Sequence, residues 1–407
     1  MNLLKISWSN IKHKPLNTLL SIILLAFGVG IISMMLLLKT QISDKFDRNI
    51  KDIDFVLAAK GSPLQSMLAN IYHVDVPTGN IKVSEARRII KNPMVAEAIP
   101  LAYGDNYEKF RIVGTNEKYP NHYGCVLSKG ELFKAPFEVT LGASVAEETG
   151  LILGSTFTSM HGYDNVADDT DAHHQQLFTV VGIFEQSNSV IDNLILTPVE
   201  TTWLVHEHPE EENVTDSISN DSTQVEPERE MTAYLIKKRN KGAFGMLSKQ
   251  TEDTTMQLAN VAVENSRLMN NFGIGLGAIT AIAAVIMIIS FISIFISLYT
   301  SMRERRYELA LMRTMGGTRG TLFALIIQEG LLLVVLGYVV GLLLSRVGLM
   351  VLSNFMKESF HFGLDNLAIG TQELALLGLT LLVGLLASII PAWQALKIDI
   401  SKTLTNA

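Results

Sequence analysis

The chain has 407 residues, 48% of them hydrophobic and 18% charged, with a mean hydropathy of +0.27. Its net charge of -7 argues against a nucleic-acid binder, which needs a basic face to neutralise phosphates. A single cysteine, Cys125, excludes an intramolecular disulfide and a cysteine-based zinc cluster, and reads as a small buried hydrophobe. The length allows two or three domains.

A membrane helix needs about 20 mostly apolar residues. The first such stretch, 16–38, carries no charge and follows a basic segment, 1–15, that holds Lys5, Lys12 and Lys14. Its apolar run is too long for a signal core and no A-x-A site follows, so it reads as a retained anchor. Ile42, Phe46, Ile50 and Ile53 then recur near helical spacing, which extends the span outward as an amphipathic stalk.

From 39 to 271 the pattern is that of an α+β domain, with apolar strand-like runs alternating with helix signals. Asp54-Phe-Val-Leu-Ala-Ala reads as a strand and Lys60-Gly-Ser-Pro as a turn. Ser84 is expected to cap a helix that Asn92-Pro93 ends. Phe110-Arg-Ile-Val-Gly, Phe137-Glu-Val-Thr, Phe178-Thr-Val-Val-Gly-Ile and Met231-Thr-Ala-Tyr-Leu-Ile read as strands, and Gly142 to Thr149 as a short helix. Leu258, Val261, Asn265, Leu268 and Phe272 read as a second stalk helix.

Two polar, acidic segments interrupt this domain, and they hold His161, His173, His174, His206 and His208. Imidazole beside carboxylate suits zinc or copper. The spacing matches no established ligand motif, and a solvated acidic loop is the alternative reading.

Three further spans follow, at 272–300, 321–344 and 374–393. Span three of the chain, 321–344, contains a lone charge, Glu329, about 12 Å along the helix at 1.5 Å per residue. It is expected to face another helix or to snorkel, with a proton relay as the alternative. Gly273 with Gly277, and Gly337 with Gly341, form two GxxxG pairs suited to close helix contact, within one chain or across a dimer.

Lys and Arg set the orientation. Arg303, Arg305, Arg306, Arg313 and Arg319 crowd the link 301–320, and Lys397 and Lys402 lie in the tail 394–407. With the N-terminal lysines they place both termini and this link in the cytoplasm. The link 345–373 is roughly charge-balanced and belongs outside. The expected fold is therefore membrane α-helical, with four transmembrane helices and a large α+β extracytoplasmic domain between the first and second.

The link 301–320 reads as a short helix with Glu304 and Glu308 one turn apart, Leu309 and Met312 on an apolar face, and Gly316-Gly317 as its end. Such a helix, joined directly to a span, suits force transmission. An anionic-lipid-binding loop is the alternative.

At this point the sequence resembles the MacB/FtsX-like ABC permeases, the family that includes the LolC/LolE lipoprotein extractors. The resemblance rests on Trp8-Ser-Asn-Ile-Lys-His-Lys-Pro-Leu-Asn-Thr-Leu-Leu, Leu141-Gly-Ala-Ser-Val-Ala-Glu-Glu-Thr-Gly and Phe178-Thr-Val-Val-Gly-Ile-Phe. It continues through Arg306-Tyr-Glu-Leu-Ala-Leu-Met-Arg-Thr-Met-Gly-Gly, Gln328-Glu-Gly and Pro391-Ala-Trp-Gln-Ala-Leu-Lys. It implies a subunit of the bacterial inner membrane, paired with a second copy or a paralogous permease. Separate ATP-binding subunits, holding ATP and magnesium, would drive an external domain that can meet a periplasmic partner. By position, Glu304, Tyr307, Glu308, Leu309, Met312 and Arg313, with Gly316 and Gly317, would meet the ATPase.

The residues agree that nucleotide is handled elsewhere, because no GxxxxGK[ST] loop occurs in the 407 residues. No nucleophile–base constellation stands out either, so this chain is not expected to be an enzyme or to hold a cofactor by itself. The alternatives are a metal-binding envelope protein and a membrane scaffold that regulates a periplasmic partner.

Overall fold

The chain begins with α1, Leu3–His13, and α2, Pro15–Asn49. Pro15 occupies the first position of α2, where a fixed φ suits the helix and a missing N–H costs nothing. The computed structural model describes residues 3–13, 15–159, 177–206, 228–360 and 370–397. It divides into two units, Met1–Ser43 with Asn271–Ala407, and Asp44–Asn270. The 35 residues of α2 measure about 52 Å, more than a hydrocarbon core of about 30 Å requires. The extension expected from Ile42 and Phe46 is present, but the helix ends at Asn49; Ile50 and Ile53 lie beyond it, against and in the core of the second unit.

In chain order the second unit contains β1 (Phe55–Ala59), α3 (Pro63–Met67) continued by a π-helical turn (Leu68–Tyr72), β2 (Ile81–Lys82) and α4 (Val83–Ile90). Next come β3 (Val95–Tyr107), β4 (Phe110–Thr115), α5 (Lys118–His122), β5 (Leu127–Gly130), β6 (Glu138–Leu141), α6 (Ala143–Thr149) and β7 (Thr156–Phe157). After them run β8 (Phe178–Phe184), β9 (Leu194–Pro198), α7 (Val199–His206), β10 (Glu230–Met231), β11 (Ala233–Lys238), α8 (Ala243–Thr251) and β12 (Met256–Asn260).

A single sheet organises these elements, in the order β12-β1-β11-β3-β4-β9-β6-β8-β5, with β7 on β8 and a separate β10-β2 pair. The β4/β9 and β6/β8 pairs are parallel and the rest antiparallel. β1 illustrates why its sequence is apolar throughout. Side chains alternate across a strand: Val56 and Ala58 enter one buried cluster with Met67, Ile99 and Leu235, while Phe55 and Leu57 enter another with Ile81, Ile89 and Ile236. Farther along the sheet, Phe110, Ile112, Leu141, Phe178 and Ile195 form a third cluster.

The glycines in the two external motifs answer to close approach. A Cβ on Gly142 would lie 2.1 Å from the Ile191 carbonyl oxygen, and one on Gly182 2.0 Å from that of Glu131. The strands expected from 110, 137 and 178 are present, although Thr232 splits the run at 231–236 into β10 and β11.

Two expectations are corrected. Lys82, not Ser84, occupies the N-cap of α4, and Ser84 Oγ instead donates to Glu228 Oε1 at 2.7 Å. Leu258 belongs to β12, because Met256–Asn260 pairs with β1 as the sheet's edge. The helix starts only at Val261, with the Asn260 side chain accepting from the Val263 N–H at 3.3 Å.

The membrane-length helices that follow are α9 (Val261–Glu304), α11 (Arg319–Phe360) and α12 (Thr371–Leu396), with the short α10 (Arg306–Thr314) between the first two. With α2 they make four helices long and apolar enough to span a bilayer. α11 continues past the expected boundary at 344, because nothing in 345–360 breaks a helix. Leu25 and Val29 of α2, Phe291 and Ile294 of α9, Val334 of α11 and Leu376 of α12 meet in one buried cluster.

Candidate functional site

The link between α9 and α11 is built from a corner, a short helix and a glycine turn. α9 ends at Glu304, Arg305 leaves helical geometry (φ -97°, ψ 18°), and α10 begins one residue later. This corrects the expectation of a single helix through 301–316: Glu304 and Glu308 lie on different helices. At the far end Gly316 takes φ +98°, a backbone conformation that suits glycine. Its N–H bonds the Arg313 carbonyl at 3.2 Å and the Gly317 N–H bonds that of Met312 at 2.9 Å, so two carbonyls of the last turn of α10 are satisfied.

α10 has two apolar faces, and they behave oppositely. Leu309 is 3% exposed and Ala310 fully buried; with Met312 they pack against Met302, Leu322, Leu325, Ala392 and Ala395. Of the two residues expected to meet a partner on this face, Leu309 is buried in the chain's own core and Met312 is partly buried against it. The face that remains open carries Tyr307, Leu311 and Met315, exposed by 49%, 45% and 83%. These recur every four residues, beside exposed Glu304, Arg306 and Glu308. Sequence reasoning missed Leu311 and Met315. Their spacing was visible, but Leu309 with Met312 fits a helix equally well, and only the neighbours decide between the two faces.

The corner itself is held by charge. Arg305 Nη2 lies 3.1 and 3.2 Å from the two carboxylate oxygens of Glu329 on α11, and its guanidinium also reaches the Ser301 hydroxyl and carbonyl. Glu329 is 5% exposed. The lone charge of span three therefore faces a neighbouring arginine.

A second ion pair lies between α11 and α12. Arg346 grips Glu373 through two bonds of 2.9 and 2.7 Å, and Ser33 of α2 donates to the same carboxylate. The Gly370 N–H also bonds it at 3.1 Å, while Tyr338 Oη donates to the Glu373 carbonyl at 2.8 Å. Glu373 is thus buried with its oxygens satisfied, which is what a buried carboxylate requires.

The two GxxxG pairs separate. A Cβ on Gly337 would fall 2.7 Å from the Leu25 side chain, and one on Gly341 2.9 Å from the Ala26 carbonyl, so α2 and α11 touch at these glycines. A Cβ on Gly273 or Gly277 would meet nothing within 4 Å among the described residues. Gly330 against Ser388 and Gly384 against Val334 form close contacts between α11 and α12 that sequence reading overlooked.

In the second unit the notable polar group is His73, at the end of the π-helical turn with φ +56°. Its Nδ1 lies 2.8 Å from Tyr103 Oη and its Nε2 2.7 Å from Tyr119 Oη. Tyr103 passes its own proton to the Ala69 carbonyl, so Nδ1 donates and Nε2 accepts. Burial, aided by the Arg111 charge, holds the imidazole well below its ordinary pKa. Burial also raises Tyr119, and lifts the Cys125 thiol to about 11, leaving that cysteine unreactive.

His161, His173, His174 and His208 lie outside the described residues, as does the side chain of His206 at the end of α7. Among the described residues no group of histidine, cysteine or carboxylate side chains is arranged to hold a metal.

Four spanning helices with a mixed α/β domain inserted between the first and second define a multi-pass membrane protein built around an external domain. A family model described as the MacB-like periplasmic core domain matches residues 18–235, and one described as the FtsX-like permease C-terminal region matches residues 280–400. The chain belongs to the MacB/FtsX-like ABC transporter permease family.

Among its relatives is the macrolide export ATP-binding/permease protein MacB of Mannheimia succiniciproducens, 22% identical over 79% of this chain and 48% of the relative. The pyoverdine export ATP-binding/permease protein PvdT of Pseudomonas putida is 22% identical over 99% of this chain and 58% of the relative. An ABC transporter permease protein of Mycobacterium tuberculosis, Rv0987, is 25% identical over 68% of this chain and 30% of the relative. The chain thus spans about half the length of the first two. The periplasmic region of MacB from Actinobacillus actinomycetemcomitans aligns with a TM-score of 0.35 at 13% identity, over 56% of this chain and 98% of that one.

Proposed function

We propose that this chain is the transmembrane subunit through which a separate ATP-binding subunit, holding ATP and magnesium, drives movements of the external domain. The partner docks on the open face of α10, with Tyr307, Leu311 and Met315 as apolar contacts and Glu304, Glu308 and Arg306 beside them. The observation that supports this reading is the division of α10. One face is locked among α9, α11 and α12, and the other presents three large apolar side chains to the outside. A push on the open face is then delivered to the spans rather than absorbed by a flexible loop.

In this reading the termini and α10 are cytoplasmic, following the Lys and Arg distribution. A second copy or a paralogous permease completes the assembly, and the external domain works on a periplasmic partner or exported substrate. Two bonds within the second unit support the relay by tying the ends of α2 and α9 to that domain: the Val261 N–H bonds the Asp54 carbonyl at 3.1 Å, and the Asn49 carbonyl accepts from Tyr123 Oη at 2.9 Å.

The test is co-purification with candidate ATP-binding proteins, followed by an ATPase assay. The wild-type chain should form a complex and change the rate of hydrolysis. Leu311→Arg and Glu308→Arg should weaken the complex by about 2 kcal/mol or more, as central interface positions do. Leu309→Ala should instead lower the thermal stability of the chain. Unaltered association in both surface variants would remove α10 as the docking face.

A further inference from the structure

We propose that Arg305 and Glu329 are positioning residues that set the direction of α10, so that their ion pair, and not the local sequence, creates the corner between α9 and the docking helix. The consequence for coupling rests on the docking role assigned to α10 above; the corner itself does not.

Helices bend sharply at proline, at glycine or serine pairs, or where a side chain intrudes on the hydrogen-bond ladder. The corner sequence, Arg303-Glu304-Arg305-Arg306, contains neither proline nor glycine. All four residues are good helix formers. Left to local preference, the 44 residues of α9 and the 9 of α10 would continue as one helix. The break between α9 and α10 falls at Arg305, at φ -97° and ψ 18°, and the side chain of that same residue is drawn away to α11. Its guanidinium bonds both oxygens of Glu329 at 3.1 and 3.2 Å and the Ser301 carbonyl at 3.4 Å.

Glu329 has a matching need. Its side chain is 7% exposed, in a stretch of helix (321–344) that carries no other charge, and the Arg305 side chain is 18% exposed. An ionised carboxylate there requires an opposite charge. Straightening the corner would withdraw the guanidinium and leave that carboxylate unpaired. The pair thus holds α10 folded back, with Leu309 and Ala310 seated in the bundle and Tyr307, Leu311 and Met315 facing out.

Spin labels at Met315 and Ile296, on a Cys125→Ser background in lipid nanodiscs, report the corner directly by their distance distribution. The wild-type pair should give a narrow distribution. Arg305→Gln and Glu329→Gln should each broaden and shift it, and the double variant should change it no further, since both remove one interaction. In complex with the ATP-binding partner, the same variants should bind with near wild-type affinity while their effect on hydrolysis falls about fivefold or more. A merely structural role would not split binding from coupling in this way.

If a glutamine variant does not purify as a folded chain, Arg305→Lys is measured instead. It keeps the charge but cannot reach Ser301 and both carboxylate oxygens together, and it should also broaden the distribution. A wild-type distribution in the substituted chains would overturn the proposal. If the distribution broadens but no ATP-binding protein associates with the wild-type chain, the corner stands and the docking role of α10 falls.

Discussion

His73 shows how one residue acquires a property its neighbours impose. Its imidazole lies between two tyrosine hydroxyls and beside the Arg111 charge, and it stays neutral in the folded chain. In the unfolded chain it titrates near pH 6.5. As pH falls below that value the unfolded state takes up a proton that the folded state refuses. The external domain should therefore lose stability at up to about 1.4 kcal/mol per pH unit below pH 6.5, with no contribution from this residue above neutrality. Urea denaturation between pH 5 and 7 should show this slope. His73→Phe should flatten most of it while costing about 1–3 kcal/mol at pH 7, because two tyrosine hydroxyls lose a partner. His122, also held down by burial, leaves a residual slope. None of this was legible in the sequence, where His73 stands in an undistinguished loop.

At the scale of the element, small residues decide which helix faces touch. A Cβ on Gly341 would meet the Ala26 carbonyl and the Val29 side chain, whereas one on Gly277 would meet no atom of another element within 4 Å among the described residues. Gly341→Leu should overpack the α2/α11 contact and cost about 1–3 kcal/mol. Gly277→Leu should stay within about 0.5 kcal/mol in the detergent-solubilised monomer. Thermal unfolding of the two variants checks the difference; equal losses would contradict the packing described. The sequence motif is the same at both places, so its spacing could not tell them apart. α10 carries the same lesson: its periodicity offered two apolar faces, and contacts from α9, α11 and α12 chose Leu309 for the inside and Leu311 for the outside.

At the scale of the whole molecule, residues 44–270 hold a ten-stranded sheet with buried clusters on its faces and a two-stranded pair, and should fold as an excised unit. Its unfolding in urea should follow one transition by circular dichroism and by the fluorescence of Trp203, the single tryptophan in that segment. A fragment ending at Thr255 loses β12, exposes β1 and should not give this transition.

The sequence by itself determined the four spans and the domain between them, because a run of about 20 apolar residues has no stable home but lipid or a core. It also marked β1, β4, β6, β8 and the run that forms β10 and β11, half of the twelve strands described, where alternation and apolar runs are local properties. It missed β3, whose 13 residues include Pro100, Gly104 and Asp105; pairing with β11 and β4 overrides their poor strand preference. Tertiary structure alone decided the corner at Arg305, the closed Arg346–Glu373 pair, the neutral state of His73 and the face that α10 leaves open. Each depends on residues brought together from distant parts of the chain, and a charge or an apolar side chain carries no local mark of the partner it will meet.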